Sequence, residues 1–403
     1  MLRHRVLGVA VMCKSEGSEM LKFRSRAALS AVVVLLASSA CATSRVNPVG
    51  SAPQGIGSPL FSRDAVAKPA DTTSILKKLT KNVVIGSTVD SHNGDKGPRS
   101  ISIVPSGHGL LQKGQLLVCN FSDKSGAAGA GTTVEVLNPT PGSKPTRFVA
   151  DASIKGCDGS VITGASEVYV AGFAGGTVVN FNEEAKKIRA YTGSLFKVPL
   201  SEVSANPMEP YSPAYVYVSN AESGSIVSIS VGFYGNGQAT EVADGFAVNK
   251  SAPGGKLGPS GLQYNSYPDT LDIVDGVTNT VVEFLHASNL LEKDEIVVKP
   301  GGKTFQCKHA KTTCGKLIHA GSPLNAPLAS VLLPNGNLIV ANTKGTANEL
   351  VELTPAGQIL ATKVVDKSHT QGVFGLAATG TNDTNAALFY TDTNSNSVHE
   401  LEQ

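Results

Sequence analysis

The chain has 403 residues with 42 Gly, 21 Pro and no Trp, and only 16% of its side chains are charged. That length accommodates a few average domains or one large all-β unit. Setting aside residues 1–42 removes six of the 34 basic and two of the 32 acidic side chains, and the formal charge falls from +2 to −2. A chain so close to neutral offers no basic face for nucleic acid or for an anionic membrane surface.

At the start of the chain, Lys22, Arg24 and Arg26 precede the apolar run AALSAVVVLLASSA at 27–40. The run is short for a membrane span, and the pattern is that of an export leader. Met20 sits where such leaders begin, which leaves residues 1–19 as a candidate upstream extension. Two processing routes are open. ACA at 40–42 suits ordinary signal cleavage, whereas SSAC ending at Cys41 is a loose lipobox, with Ser38 where Leu is usual, and would place a lipid on Cys41. Residues 43–79 begin with a stretch rich in Pro, Ser, Gly and Ala and read as a disordered or tethering linker. The expected location is therefore extracytoplasmic, with contact to a membrane only through that anchor, and the expected state is a monomer.

Four cysteines remain beyond the leader, an even number that in an oxidising compartment reads as two disulfides. CKHAKTTC closes a local loop as Cys307–Cys314, and Cys119–Cys157 follows by elimination. The rival for the first pair, a metal site with His309 as third ligand, lacks a zinc-like spacing.

From residue 80 one pattern returns six times: a β-rich run, a small polar turn and a second β-rich run. Examples are SEVYVAGFAGGTVVNFN (166–182) and AYVYVSNAESGSIVSIS (214–230). Aligning Val118, Val170, Val218, Val274, Val340 and Tyr390 gives spacings of 52, 48, 56, 66 and 50 residues, a repeat of near-constant period. The fifth copy shows four strands joined by PNG and TPAG turns, Asn335-Gly336 being a strong hairpin signal. One such sheet cannot bury both of its faces, but six packed radially can. The expected fold is an all-β, six-bladed β-propeller of four-stranded antiparallel blades over residues 80–403. The last copy ends at Gln403 with three strands, so KNVVIGSTVD (81–90) is expected to supply the fourth. The echo between VVIGSTVDSH and ATKVVDKSH then marks equivalent corners of neighbouring blades.

The stretch LPNGNLIVANTKG…NELVELTPAGQIL resembles an NHL-type propeller repeat, and similar repeats build gluconolactonase and regucalcin-like six-bladed enzymes. The resemblance implies a propeller. Those enzymes hold a metal with Glu, Asn and Asp from the starts of inner strands. Here such starts read RSISI, SGLQY, PLASV and VFGLA, so the metal set is not matched.

Loops joining an outer strand to the next inner strand surround one mouth of the channel. They carry His92, His319 and His369 with Asp90, Asp95 and Asp366, candidates for a histidine–carboxylate catalytic set or a divalent-metal site. Asp244, Lys250 and Ser260 are candidate ligand contacts. The alternative is that the aspartates cap turns. A second position, Asn120, Asn220, Asn342 and Asp392 with Gly172 and Gly276, is expected to bond turn backbone. Signatures of zinc proteases, nucleophile elbows, haem attachment and phosphate loops are absent. The expected role is a binding or scaffold module for an unknown protein or small molecule. The alternative is a hydrolase or lyase acting on a small cyclic or ester substrate, with or without a divalent metal. Intact mass of the exported protein with and without reductant checks the cysteine reading. No free thiols are expected before reduction, and four would contradict both pairing and compartment.

Overall fold

The computed structural model describes residues 72–206, 214–231, 237–251, 257–344 and 348–403. The leader, Cys41 and the linker as far as residue 71 lie outside them. Six sheets follow one another along the chain. Blade one holds Lys96–Ile103, Leu116–Ser122, Ala128–Leu137 and Thr146–Ala150, and blade two holds Cys157–Ile162, Val168–Gly172, Thr177–Phe181 and Lys187–Tyr191. Blade three begins with Pro199–Ala205, Tyr215–Asn220, Ser225–Ser230 and Ala239–Asp244, and blade four contains Pro259–Asn265, Thr270–Asp275, Thr280–Leu285 and Gly315–Ala320. Blade five is Pro327–Leu332, Leu338–Asn342, Asn348–Leu353 and Ile359–Asp366. In the sixth sheet, Val373–Thr379, Ala387–Asp392 and Ser397–Glu402 are joined by Lys81–Ser87, which runs antiparallel to Ser397–Glu402 with Lys81 opposite Glu402 and Ser87 opposite Ser397.

The inner strands touch in ring order, and the sixth also touches the first, so the chain forms a six-bladed propeller. Burial explains why the inner half of each blade reads as continuous apolar sequence. Tyr215–Asn220 is buried at every residue, whereas the outer strand Lys187–Tyr191 is mostly exposed. A strand covered on both faces loses the apolar–polar alternation of a half-buried one. Each pair of neighbouring blades encloses one hydrophobic cluster, such as Tyr169, Val178 and Tyr191 against Val216, Val218 and Val227 between blades two and three.

Three features depart from the sequence reading. Blade three has six strands, because Ile296–Val298 pairs in parallel with Ala239–Asp244 and Phe305–Cys307 pairs with Ile296–Val298. This hairpin lies within a long insertion between the third and fourth strands of blade four, which accounts for the 66-residue spacing. The Cys307–Cys314 disulfide closes the insertion, and Phe305 meets Phe284 edge-on at 6.4 Å.

Residues 72–79, assigned to the linker by composition, are folded. Ile75, Leu76 and Leu79 are fully buried in the cluster between blades five and six. Buried Glu352 accepts hydrogen bonds from Ser74 Oγ (2.5 Å), Ile75 N (3.1 Å) and Leu76 N (2.9 Å). The alternation Ser-Ile-Leu gave too short an apolar signal to be read.

In blade four the repeat position is one residue earlier than aligned. Asp275 lies opposite Pro259 as Asn120 lies opposite Pro98, so Ile273 is the equivalent of Val118. These tip residues bond nearby backbone: Asn120 Nδ2 donates to Thr88 O at 2.7 Å, and Asn342 Oδ1 accepts from Asn325 N at 2.9 Å. In blade two the position is Gly172, where a Cβ would stand 2.6 Å from Thr177 Oγ1 and 3.0 Å from Ser153 O, leaving no room for a side chain.

The corner before blade one contains a buried acid pair. Asp90 accepts from Arg147 Nε and Nη2 at 2.7 and 2.6 Å, and from His92 N and Asn93 N at 2.7 Å each. Burial would raise the Asp90 carboxyl, but the guanidinium, Glu135 and the loop N–H groups outweigh it and hold the carboxyl well below the usual range. Glu135 is buried, and its oxygens meet no N–H or hydroxyl donor. Burial first, then Asp90, pushes it up to about 9, so it keeps its proton and donates to Asp90. A folded pKa raised above the unfolded carboxyl value of about 4.3 contributes stability at low pH that is lost progressively as pH rises to about 9. Glu135→Gln keeps a neutral donor facing Asp90. Its melting temperature is expected to exceed the parent's by a margin that widens from pH 5 to pH 9, whereas a pH-independent difference would contradict the acid-pair assignment.

Candidate functional site

The inner strands of all six blades begin with the same irregularity. In each, counting from the residue that opens the irregularity (Pro98, Cys157, Pro199, Pro259, Pro327 or Val373), the pairing with the second strand skips one residue before the third or fourth position, for example between Pro98 and Ile101 and between Cys157 and Gly159. Such a bulge re-aims side chains. Here the second residue of that count, Arg99, Asp158, Leu200, Ser260, Leu328 or Phe374, lines a central cavity of about 350 Å³. Close blade approach requires small third residues. A Cβ on Gly375 would fall 2.6 Å from Arg99 O, and one on Gly261 would fall 2.7 Å from Ser330 N.

Arg99 dominates this ring. It is 8% exposed, and its guanidinium carbon lies 3.7 Å from the Phe374 ring centroid and 4.1 Å from that of Phe121. Its Nη1 is 3.9 Å from Asp158 Oδ1. Burial pulls the guanidinium downward and Asp158 opposes it, while burial pushes Asp158 up to about 6 against the pull of Arg99. The Cys119–Cys157 disulfide ties blade one to the residue preceding Asp158. Glu202, in the fourth position of blade three's inner strand, also lines the cavity. It is 7% exposed without a side-chain hydrogen-bond donor, and burial, opposed only by the Ala171 backbone N–H, pushes it up to about 8.

Arg99 and Phe374 also line a second cavity, of about 660 Å³, on the face reached by the outer-to-inner loops. Its wall comes from Lys96 and Ser122 of blade one, from the hairpin of blade five at Thr343, Lys344 and Asn348, and from the loop Ser368–Gln371 and turn residues Thr393 and Asn396 of blade six. Hydroxyl, amide and lysine side chains share this wall with Phe121 and Ala128, and an arginine and a phenylalanine ring stand at its base.

Of the three histidines singled out by sequence, His369 lines the mouth. His92 is exposed, with Nδ1 3.3 Å from Ser91 Oγ. His319 belongs to the outer strand of blade four, its Nδ1 3.0 Å from Gly357 O and its Nε2 3.3 Å from Ser322 O. No hydrogen bond joins them to one another, and among the described residues no group of three His, Cys, Asp or Glu side chains is placed to hold a metal.

The aspartates serve their own loops. Asp95 Oδ2 accepts from Thr132 N and Oγ1 at 2.7 and 3.0 Å. Asp366 accepts from Ser368 N (2.8 Å), Asn348 Nδ2 (2.7 Å) and Asn394 Nδ2 (2.8 Å), and these contacts, offsetting burial, lower its carboxyl. Asp244 is half-buried beside the added hairpin of blade three, and burial together with Asp294 raises it. Lys250 pairs with Glu222 at 3.4 Å. Ser260 is buried, and its Oγ donates to Val274 O at 3.1 Å.

Sequence reasoning missed Arg99, Asp158 and Glu202. The inner-strand starts of blades two and three, CDGSVI and PLSEVSA, are the two that carry carboxylates, and extending the repeat alignment one strand upstream would have found both.

No protein-family model matches the chain, and no curated protein sequence matches it. Among solved structures, virginiamycin B lyase from Staphylococcus aureus is 13% identical, with 80% of this chain and 85% of that one covered and a TM-score of 0.47. A structural-genomics protein of gluconolactonase type is 10% identical over 80% of this chain and 91% of its own, with a TM-score of 0.47. A luciferin-regenerating enzyme is 11% identical over 80% and 96%, with a TM-score of 0.46. At these values the likeness concerns the propeller and gives no residue here a role.

Removing the cation of a buried pair leaves an uncompensated charge. Arg99→Met is expected to lower stability by about 3–5 kcal/mol in mildly alkaline buffer, measured by urea unfolding. Arg99→Met with Asp158→Asn is expected to recover most of that loss. An Arg99→Met protein as stable as the parent would contradict the ion-pair reading.

Proposed function

We propose that this chain is an exported binding propeller whose ligand seat is the mouth above Arg99 and Phe374. The observation that carries this reading is the mouth itself: about 660 Å³, walled by hydroxyl, amide and lysine side chains together with Phe121 and Ala128, over a fixed cationic and aromatic base. Small-molecule sites generally span about 300–1,000 Å³ and place a few polar groups where they fix orientation. The base is rigid, since Arg99 is held by two rings and a carboxylate, and rigid first contacts reduce the ordering cost of binding.

Export is supported by the leader-like start and by two disulfides. No helix among the described residues is long and apolar enough to cross a membrane. A hydrolase or lyase acting through His92, His319 and His369 would need a proton-transfer pair at roughly 3 Å. Only His369 reaches the mouth, and the accompanying aspartates are occupied in loop contacts, so binding is the preferred reading.

Ala128 lines the mouth, is exposed and carries no side-chain hydrogen bond, so Ala128→Trp fills the cavity at little cost to the blade. A thermal-shift screen against a panel of small metabolites, parent beside Ala128→Trp, tests the seat. Ligands are expected to raise the parent's melting temperature and not the variant's. Ligands that stabilise both proteins equally would place binding elsewhere.

A further inference from the structure

We infer that the mouth selects a small organic anion, one bearing a carboxylate or phosphate group; the inference rests on the mouth being the ligand seat. Three cationic side chains line it: Lys96 of blade one, Lys344 of blade five and Arg99 at its base, with blade six between the two lysines. Among the described residues no carboxylate lines it. Acids that flank the lining residues accept hydrogen bonds from their own surroundings: Asp95 from Thr132 N, Asp123 from Ala127 N and Glu349 from Asn342 Nδ2. Asp366 accepts from Asn348, Asn394 and Ser368, and Asp392 accepts from Asn394 N at 2.9 Å and Ser395 Oγ at 2.7 Å.

Neither Lys96 nor Lys344 has an ion-pair partner among the described residues, in contrast to Lys81, Lys186 and Lys187, which pair at 2.5, 2.6 and 2.9 Å. The chain beyond residue 42 carries a formal charge of −2, so this local excess of cations does not follow from an overall basic composition. Within a cleft bounded by low-dielectric walls, like-signed charges focus the field and attract a counter-charge more strongly than they would on a flat surface. Arg99 adds direction. Its neighbour Asp158 lines the channel cavity and not the mouth, while Arg99 lines both. Ser122 brings a hydroxyl group that can donate to a remaining anion oxygen, whereas the Thr343 and Thr370 hydroxyls already donate to Ala326 O at 2.6 Å and Asn394 Oδ1 at 2.9 Å.

The test is isothermal titration calorimetry of the exported chain with three probes: citrate for a carboxylate, glucose 6-phosphate for a phosphate, and sorbitol as the neutral control. Saturable binding of citrate or glucose 6-phosphate is expected, with little or none for sorbitol. The Lys96→Met/Lys344→Met variant should bind roughly tenfold more weakly, and high salt should weaken the parent in the same direction. Lys344→Met alone, at an exposed hairpin position, supplies an intermediate loss should the double variant fold poorly. The arm that responds identifies the anionic group. Absence of binding in both anionic arms, or binding unchanged by the lysine variants and by salt, would overturn the anion assignment. Neutral metabolites that stabilise the parent but not Ala128→Trp would leave the mouth as the seat and reject only its charge preference.

Discussion

A single buried guanidinium organises the centre of this propeller. Arg99 comes from blade one, but its partners come from three blades: Phe121 of blade one, Asp158 of blade two and Phe374 of blade six. A cation between aromatic faces is attracted by both ring quadrupoles, and the attraction grows when water is excluded. A side chain in that position also divides the axial space into a channel cavity and a mouth. The functional reading depends on this partition, because it gives the mouth a base that does not have to be assembled when a ligand arrives.

The ring supports the clamp by repetition. Six bulges turn six second-position side chains toward the axis, and small residues at the third position let the blades approach closely. The tip residues Asn120 and Asn342 fasten hairpins to the loops beside them, and Asp366 holds together the loop that carries His369. The polar groups that suggested chemistry therefore mostly shape the wall. Buried acids that meet no side-chain donor, Glu202 in the cavity and Glu135 beside Asp90, remain neutral well above the usual carboxyl range, which limits the charge cost of a polar axis.

The fold was largely legible because its signal is redundant: six copies of a hairpin, with turn residues at fixed places, specify a blade several times over. Phe121, Tyr169, Tyr217, Phe284 and Tyr390 read as core and are buried. What escaped reading was local and unrepeated. The hairpin added to blade three sits in one insertion, and the segment 72–79 shows too few apolar residues to stand out from a linker. The site was less legible for another reason. Histidine and aspartate in a loop look alike whether they face a ligand or their own backbone, and Asp95 and His319 turn out to be bonded to loop and strand groups. Arg99, by contrast, appears in sequence as an ordinary start of a strand, RSISI; its importance arises only when blades one, two and six meet.

The most direct measurement is a double-mutant cycle between Arg99 and Phe374, using Arg99→Met, Phe374→Leu and the combination, with unfolding free energies from urea titration. If the clamp is the joint between blades one and six, the two positions should be coupled by about 2 kcal/mol, the value expected for a desolvated cation over an aromatic face. Coupling near zero would mean that Arg99 and Phe374 stabilise the ring independently, and the base of the mouth would lose its claim to be a preorganised unit.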